Sequence, residues 1–141
     1  MPRRRYRPIE HTADLGLQAW GRTLAELYAN AAEGMCALYF DLRAVRPREQ
    51  RAVTAQGYDR EEVLVDWLRQ LLWMIEVESF LPCRFEIREL NDTHLQATVS
   101  GEHFDPSRHR WRTGIKAVTY HNLHVAPTAE GAWEVQVIFD T

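Results

Sequence analysis

Hydrophobic positions change period several times along this chain, and each change marks an element. Leu15, Leu17 and Ala19 alternate with Asp14, Gly16 and Gln18, the two-residue period of a half-buried strand. Gly21 interrupts it. Thr23-Leu24-Ala25-Glu26 then matches a capping box, in which the Thr23 hydroxyl accepts from the Glu26 N–H and the Glu26 carboxylate reaches back. Leu24, Leu27, Tyr28, Ala31, Met35 and Leu38 recur at three- and four-residue steps, predicting an amphipathic helix that ends near Phe40 or Asp41. Arg46-Pro47-Arg48 predicts a loop, and residues 51–56 a short polar strand near a sheet edge. Asp59-Arg60-Glu61-Glu62 opens a second helix by the same capping logic. Leu64, Trp67, Leu68, Leu71, Leu72 and Ile75 form its apolar stripe, which runs to about Ser79 before Pro82 closes the segment.

Beyond Pro82 the period returns to two. Phe85 and Ile87 alternate with Arg84, Glu86 and Arg88; Asn91-Asp92 predicts a hairpin turn; Leu95, Ala97 and Val99 continue the alternation, with a bulge expected at Gly101. Residues 105–113 read as a polar loop, and 115–125 as another strand ended by Pro127. After a turn at Glu130-Gly131, Trp133, Val135, Val137 and Phe139 tie the end of the chain into a sheet. The order is strand, helix, strand, helix, then four strands. Late strands joined by short turns predict an α+β fold, a mostly antiparallel or mixed sheet packed with two helices. No linker or repeat divides residues 1–141, so one domain is expected.

Composition changes this picture little. At 141 residues, 45% hydrophobic and 26% charged, the chain can bury a real core. A net charge of −3 makes the whole molecule no magnet for nucleic acid. Charge is concentrated locally: Arg3, Arg4, Arg5 and Arg7 form a basic arm, and Arg108, Arg110 and Arg112 a second run, both expected to be solvated. Lys116 is the sole lysine. Cys36 and Cys83 have no CxxC partner and read as reduced, buried thiols. No apolar run reaches the length of a membrane span, and the start lacks the apolar core of a secretory signal. The expected location is cytoplasmic, with no membrane partner.

Three polar clusters could carry chemistry: Glu10 to Asp14, Lys116 to His121, and Ile138 to Thr141. Asp14 and Asp140 both sit on the strand parity opposite the apolar set. If the first and last strands are neighbours, these carboxylates converge, and the terminal carboxylate at Thr141 adds a third oxygen group. Hard oxygen ligands without thiolate suit Ca²⁺, Mg²⁺ or Mn²⁺ better than zinc. The alternative is that Asp14 is a turn residue and Asp140 a solvated end. His11 is open between a ligand, a base and a loop histidine bonded to its own backbone. Lys116 is open between a desolvated nucleophile and an exposed strand lysine. Tyr120 and His121, adjacent in a strand, would face opposite ways. Asp105 with Arg108 reads as a loop ion pair. There is no GxGxxG, P-loop, GxSxG or HExxH motif.

Together the clusters resemble the archease family. His11-Thr12-Ala13-Asp14-Leu15-Gly16-Leu17, Asn30-Ala31-Ala32, Asp59-Arg60-Glu61-Glu62, Gly101-Glu102, Asp105-Pro106, Arg108-His109, Ile115-Lys116-Ala117-Val118-Thr119-Tyr120-His121 and Val137-Ile138-Phe139-Asp140-Thr141 carry the resemblance over nearly the whole chain. It implies two interleaved strand–helix–strand–strand units. It implies a non-catalytic activator of an RtcB-type RNA ligase, promoting guanylylation and turnover of that enzyme in tRNA splicing or RNA repair. It also implies a metal site at Asp14, Asp140 and Thr141, usually with Ca²⁺, and secondary polar contacts from His11 and Lys116. The alternative role is a chaperone or modulator of RNA-modifying enzymes such as a tRNA methyltransferase. RNA is expected only as an indirect partner, because the net charge is acidic and no exposed aromatic platform is identifiable from sequence.

Overall fold

Two antiparallel sheets and two helices make up the molecule. The computed structural model describes residues 5–11 and 14–141, with the side chains of Glu10, His11 and Asp14 outside the described set. The strands are β1 (Tyr6–His11), β2 (Asp14–Gly21), β3 (Glu49–Gln56), β4 (Phe80–Leu90), β5 (His94–His103), β6 (Ala117–Val118), β7 (Ala126–Pro127) and β8 (Trp133–Asp140). The helices are α1 (Leu24–Tyr39) and α2 (Arg60–Glu78). The first sheet runs β1-β2-β8-β6, with β7 also on β8; the second runs β3-β5-β4. The elements interleave: β3, from the first half of the chain, joins the β4–β5 hairpin, while β6 to β8 return to pair beside β2. All these pairings are antiparallel, so the expected α+β class holds, with two sheets in place of one.

Both helices begin as their caps predict, with one change. The Thr23 hydroxyl accepts from the Glu26 N–H at 3.1 Å, but the Glu26 carboxylate reaches one residue further back, to the Arg22 N–H at 3.2 Å. At α2, Asp59 accepts from the Glu62 N–H at 2.9 Å and Glu62 from the Tyr58 N–H at 2.7 Å. Each set satisfies N–H groups that the helix itself leaves orphaned. The apolar stripes bury Leu27, Tyr28, Ala31 and Met35 from α1 and Leu64, Trp67, Leu68, Leu71 and Ile75 from α2. The Trp67 indole N–H donates to the Tyr28 carbonyl at 3.0 Å, which pins the helices together and satisfies the buried indole. Each helix touches both sheets.

Three sequence expectations are corrected. Residues 6–11, read only as a basic arm and a polar cluster, form a strand that pairs along β2. The bulges lie on β4, at Cys83 and Arg88, and not at Gly101. Gly101 is required for another reason: a Cβ there would collide with the Leu81 carbonyl. Finally, 115–125 is no continuous strand. Only Ala117–Val118 pair with β8; Asn122 takes a left-handed φ of 52° and the chain turns. Tyr120 and His121 are therefore exposed loop residues and not opposite faces of a strand. Cys36 is a buried free thiol and Cys83 a half-buried one. Among the described residues, no helix is long and apolar enough to cross a membrane.

Candidate functional site

The register of the first sheet gathers the candidate residues at one of its ends. β2 pairs with β8 from Gly21↔Trp133 to Leu15↔Phe139. One further step along that register sets the backbone of Asp14 opposite that of Asp140. On the other side of β2, His11 is paired with Asp14. Across β8, Ala117 is paired with Asp140, and the Lys116 N–H donates to the Asp140 carbonyl at 2.8 Å. Strand β2, the first strand that the sequence predicts, and β8 are thus neighbours, the condition that the convergence of the two carboxylates required. Four chain segments bring His11, Asp14, Asp140 and Lys116 to adjacent backbone positions, with Thr141 next in line.

The cause lies in the apolar alternation. Leu17 and Ala19 on β2 and Val135, Val137 and Phe139 on β8 are all buried against the helices. A slip of one residue would turn both rows outward, so burial fixes the register and the register fixes which strand ends meet. Asp140, Thr141 and Lys116 are exposed, and no ion pair engages the Asp140 carboxylate or the Lys116 ammonium among the described residues. The side-chain geometry of Asp14 and His11 lies outside the described residues. Among those described, no group of three or more His, Cys, Asp or Glu side chains forms a metal cluster. The donor chemistry suits a hard cation: the exposed Asp140 carboxylate leaves room for water to contribute to a six- to eight-fold oxygen shell.

A second polar centre escaped the sequence reading. Glu102 on β5 and His109 in the following loop are both buried. Arg108 grips the Glu102 carboxylate with two nitrogens, at 2.6 and 3.1 Å. The Arg46 N–H donates to it at 2.7 Å, and His109 Nε2 lies 3.0 Å from it. His109 Nδ1 accepts from the Asp105 N–H at 2.8 Å, so its proton sits on Nε2 and is donated to Glu102. The Arg108 guanidinium, helped by the Arg46 N–H and His109, holds the Glu102 carboxyl down at about 2 against the opposing effect of burial. Asp105, the partner expected for Arg108, is only its secondary contact at 3.5 Å. Strand parity hid this centre, since Glu102 follows the polar set Gln96, Thr98 and Ser100. What buries it is the 41–48 segment folding over the end of β5, where the Arg48 N–H donates to the Gly101 carbonyl at 3.0 Å. The basic pair Arg108-His109 a turn after an acid was the available signal.

Comparison with known proteins agrees with this architecture. The archease protein family matches residues 6–141. Protein archease of Methanosarcina acetivorans is 38% identical over 141 residues, spanning 97% of this chain and 96% of its own. The solution structure of Methanobacterium thermoautotrophicum protein 1598 superimposes with a TM-score of 0.79 at 31% identity, covering 96% of this chain and 98% of that one. The 2.0 Å crystal structure of a Thermotoga maritima archease, described as a possible chaperone, shares the fold with a TM-score of 0.66 at 23% identity and 96% coverage of each chain. On the strength of the whole-length match and the shared two-sheet topology, this chain belongs to the archease family.

Proposed function

We propose that this chain is a non-catalytic activator of an RtcB-type RNA ligase, promoting guanylylation and turnover of that enzyme in tRNA splicing or RNA repair. The observation that carries the reading is the β2–β8 register, which brings Asp14 and Asp140 opposite one another at an open strand end. Family membership supplies the context. In this reading Asp14, Asp140 and Thr141 hold a divalent cation, Ca²⁺ in the first instance and Mg²⁺ or Mn²⁺ by the same oxygen chemistry. The bound ion supplies concentrated positive charge at the docking face. The acidic end of the sheet approaches the metal- and nucleotide-bearing pocket of the ligase, and the carboxylates orient or steady charge there. Lys116 is anchored through its backbone to Asp140, and His11 flanks Asp14 in register.

The test is a guanylylation assay with the cognate ligase. Asp14→Ala and Asp140→Ala, each shown to be folded by circular dichroism, should fail to accelerate guanylylation. Full activation by both would sink the site assignment. A second reading, a chaperone or modulator of an RNA-modifying enzyme such as a tRNA methyltransferase, draws on exposed Trp73 and Val77, which lie one helical turn apart on α2. Calorimetry separates the two: no heat with Ca²⁺ or Mn²⁺, together with no effect on the ligase, favours the chaperone.

A further inference from the structure

The two arginine-rich stretches of this chain, about sixty residues apart in sequence, fold onto one surface. The first is the segment between α1 and β3, containing Arg43, Arg46 and Arg48; the second is the loop after β5, with Arg110 and Arg112. Several contacts hold them together. The Asp41 N–H donates to the Arg110 carbonyl at 3.1 Å, the Arg112 N–H to the Tyr39 carbonyl at 2.9 Å, and the Arg46 N–H and the Arg108 side chain both reach Glu102. Arg84 of the edge strand β4 joins them across a cleft of about 270 Å³ that Arg43 also lines.

The charge on this surface is layered. Its acids lie low: the side chain of Glu102 is 7% exposed, that of Asp41 30%, and that of Glu33, which lines the same cleft as Arg43 and Arg84 and pairs with Arg5, 22%. The guanidinium groups lie above them, with Arg43 89% and Arg48 59% exposed. Arg46 and Arg84 are exposed and make no side-chain hydrogen bond or ion pair among the described residues, and Arg110 bonds only the carbonyls of Pro106 and His109. Exposed Asp105 and Glu49 mark its margins, and Glu49 is met by Arg51 at 3.8 Å. A net −3 protein therefore displays a face with cationic groups outermost. Asp41 and Glu102 offset the charge of the arginines that they pair with, which leaves Arg46, Arg84 and Arg110 as cations with no carboxylate partner among the described residues, and exposed guanidinium forks match phosphate oxygens in geometry.

An aromatic platform stands within the same loop. Trp111, between Arg110 and Arg112, is 46% exposed and lies stacked on Phe104, with ring centroids 4.6 Å apart and planes within 12°. Phe104 supports one face of the indole and holds it in place. Tyr39 borders the indole at 5.5 Å, and the cleft that Trp111 lines also holds Ile75, Glu76 and Ser79. A partly exposed π-surface next in sequence to two arginines suits a nucleobase followed by its phosphates, and the indole is what an acidic polypeptide would leave unused.

We infer that this face binds single-stranded nucleic acid directly, through phosphates on Arg43, Arg46, Arg84 and Arg110 and a base stacked on Trp111. The inference goes beyond the ligase-activator reading and does not depend on it, because it concerns the protein alone. It also departs from the expectation that RNA is only an indirect partner, which rested on net charge and on the lack of a visible platform.

The experiment is fluorescence anisotropy of a labelled single-stranded RNA of mixed sequence against the purified chain over a NaCl series, with no ligase present. Four phosphate contacts predict a slope of log affinity against log salt of about −3. Arg46→Glu with Arg110→Glu should bring the slope to about −1.4 and weaken binding at least tenfold; both side chains are exposed, so the variant should fold. Arg22→Glu should change nothing, since Arg22 precedes the far end of α1, roughly 24 Å away. Trp111→Ala should weaken binding roughly tenfold and Trp111→Phe much less. Salt-insensitive or undetectable binding overturns the inference, as does a double charge reversal that binds like wild type. Equal competition by a poly-glutamate peptide of matched charge also overturns it and assigns the face to an acidic protein surface.

Discussion

Asp140 closes β8, and Glu102 lies one residue short of the end of β5; both continue the polar parity of strands whose other face is core. Asp140 is exposed and pairs with no cation among the described residues. Glu102 is buried under a loop and accepts from Arg108, the Arg46 N–H and His109. The same functional group at equivalent places in two antiparallel sheets thus meets opposite fates, decided by what folds over the strand end. Where nothing covers it, the carboxylate keeps its lone pairs for an exchangeable ligand. Where the 41–48 segment covers it, those lone pairs are saturated and the carboxylate becomes a tether between distant loops.

The largest effect that tests this contrast is on stability. Glu102→Ala leaves the Arg108 and His109 donors without their acceptor and should cost about 3 kcal/mol, the lower end for breaking a buried pair because Arg108 is partly hydrated. For a chain of this size that is a fall of roughly 10 °C in Tm, read by differential scanning calorimetry. A change under about 0.5 kcal/mol would mean that Glu102 ties nothing together. Next is cation binding: Ca²⁺ at a hundredfold excess over its dissociation constant should stabilise the wild type by about 2.7 kcal/mol, and Asp140→Ala should abolish the shift. No shift in the wild type removes the metal from the open end.

Acid should also separate the two regions. Glu102 titrates near about 2 in the folded protein and at roughly 4.3 when unfolded. Its contribution is present above the unfolded value and is lost as pH falls from about 4.3 toward 2. Chemical denaturation across that window should show a decline that is smaller in Glu102→Ala, in which Asp105, also held low by its bonds to Ser107, still contributes. The smallest effect is the most diagnostic for the open end: without metal, Asp140→Ala should alter stability by less than about 0.5 kcal/mol, as for a solvated surface residue.

The helices, their caps and the strands with clean alternation were legible because period and burial coincide in them. Asp14 and Asp140 were legible as residue types on one strand parity; the pairing of their strands is a long-range contact that no local pattern encodes. Glu102 was illegible for the converse reason, since parity places it outward and only a non-local cover makes it buried. Strand β1 was hidden behind arginines and Pro8, which suit an edge strand as well as a tail. The 115–125 segment failed because Ile115, Val118 and Val125 are buried at spacings unlike two, with Asn122 turning the chain between them.

The β2–β8 pairing has a consequence for synthesis on the ribosome. Strand β2 is made first and its partner more than a hundred residues later. Until residues 133–140 emerge, β2 has only the β1 hairpin beside it, and its second edge is unpaired while α1, β3, α2 and the β4–β5 hairpin are already able to form. The β2–β8 pairing is therefore completed only after residues 133–140 have been made. A nascent or truncated chain that lacks those residues leaves one edge of β2 unpaired, so residues 133–140 supply both the last strand of the sheet and the protection of that edge.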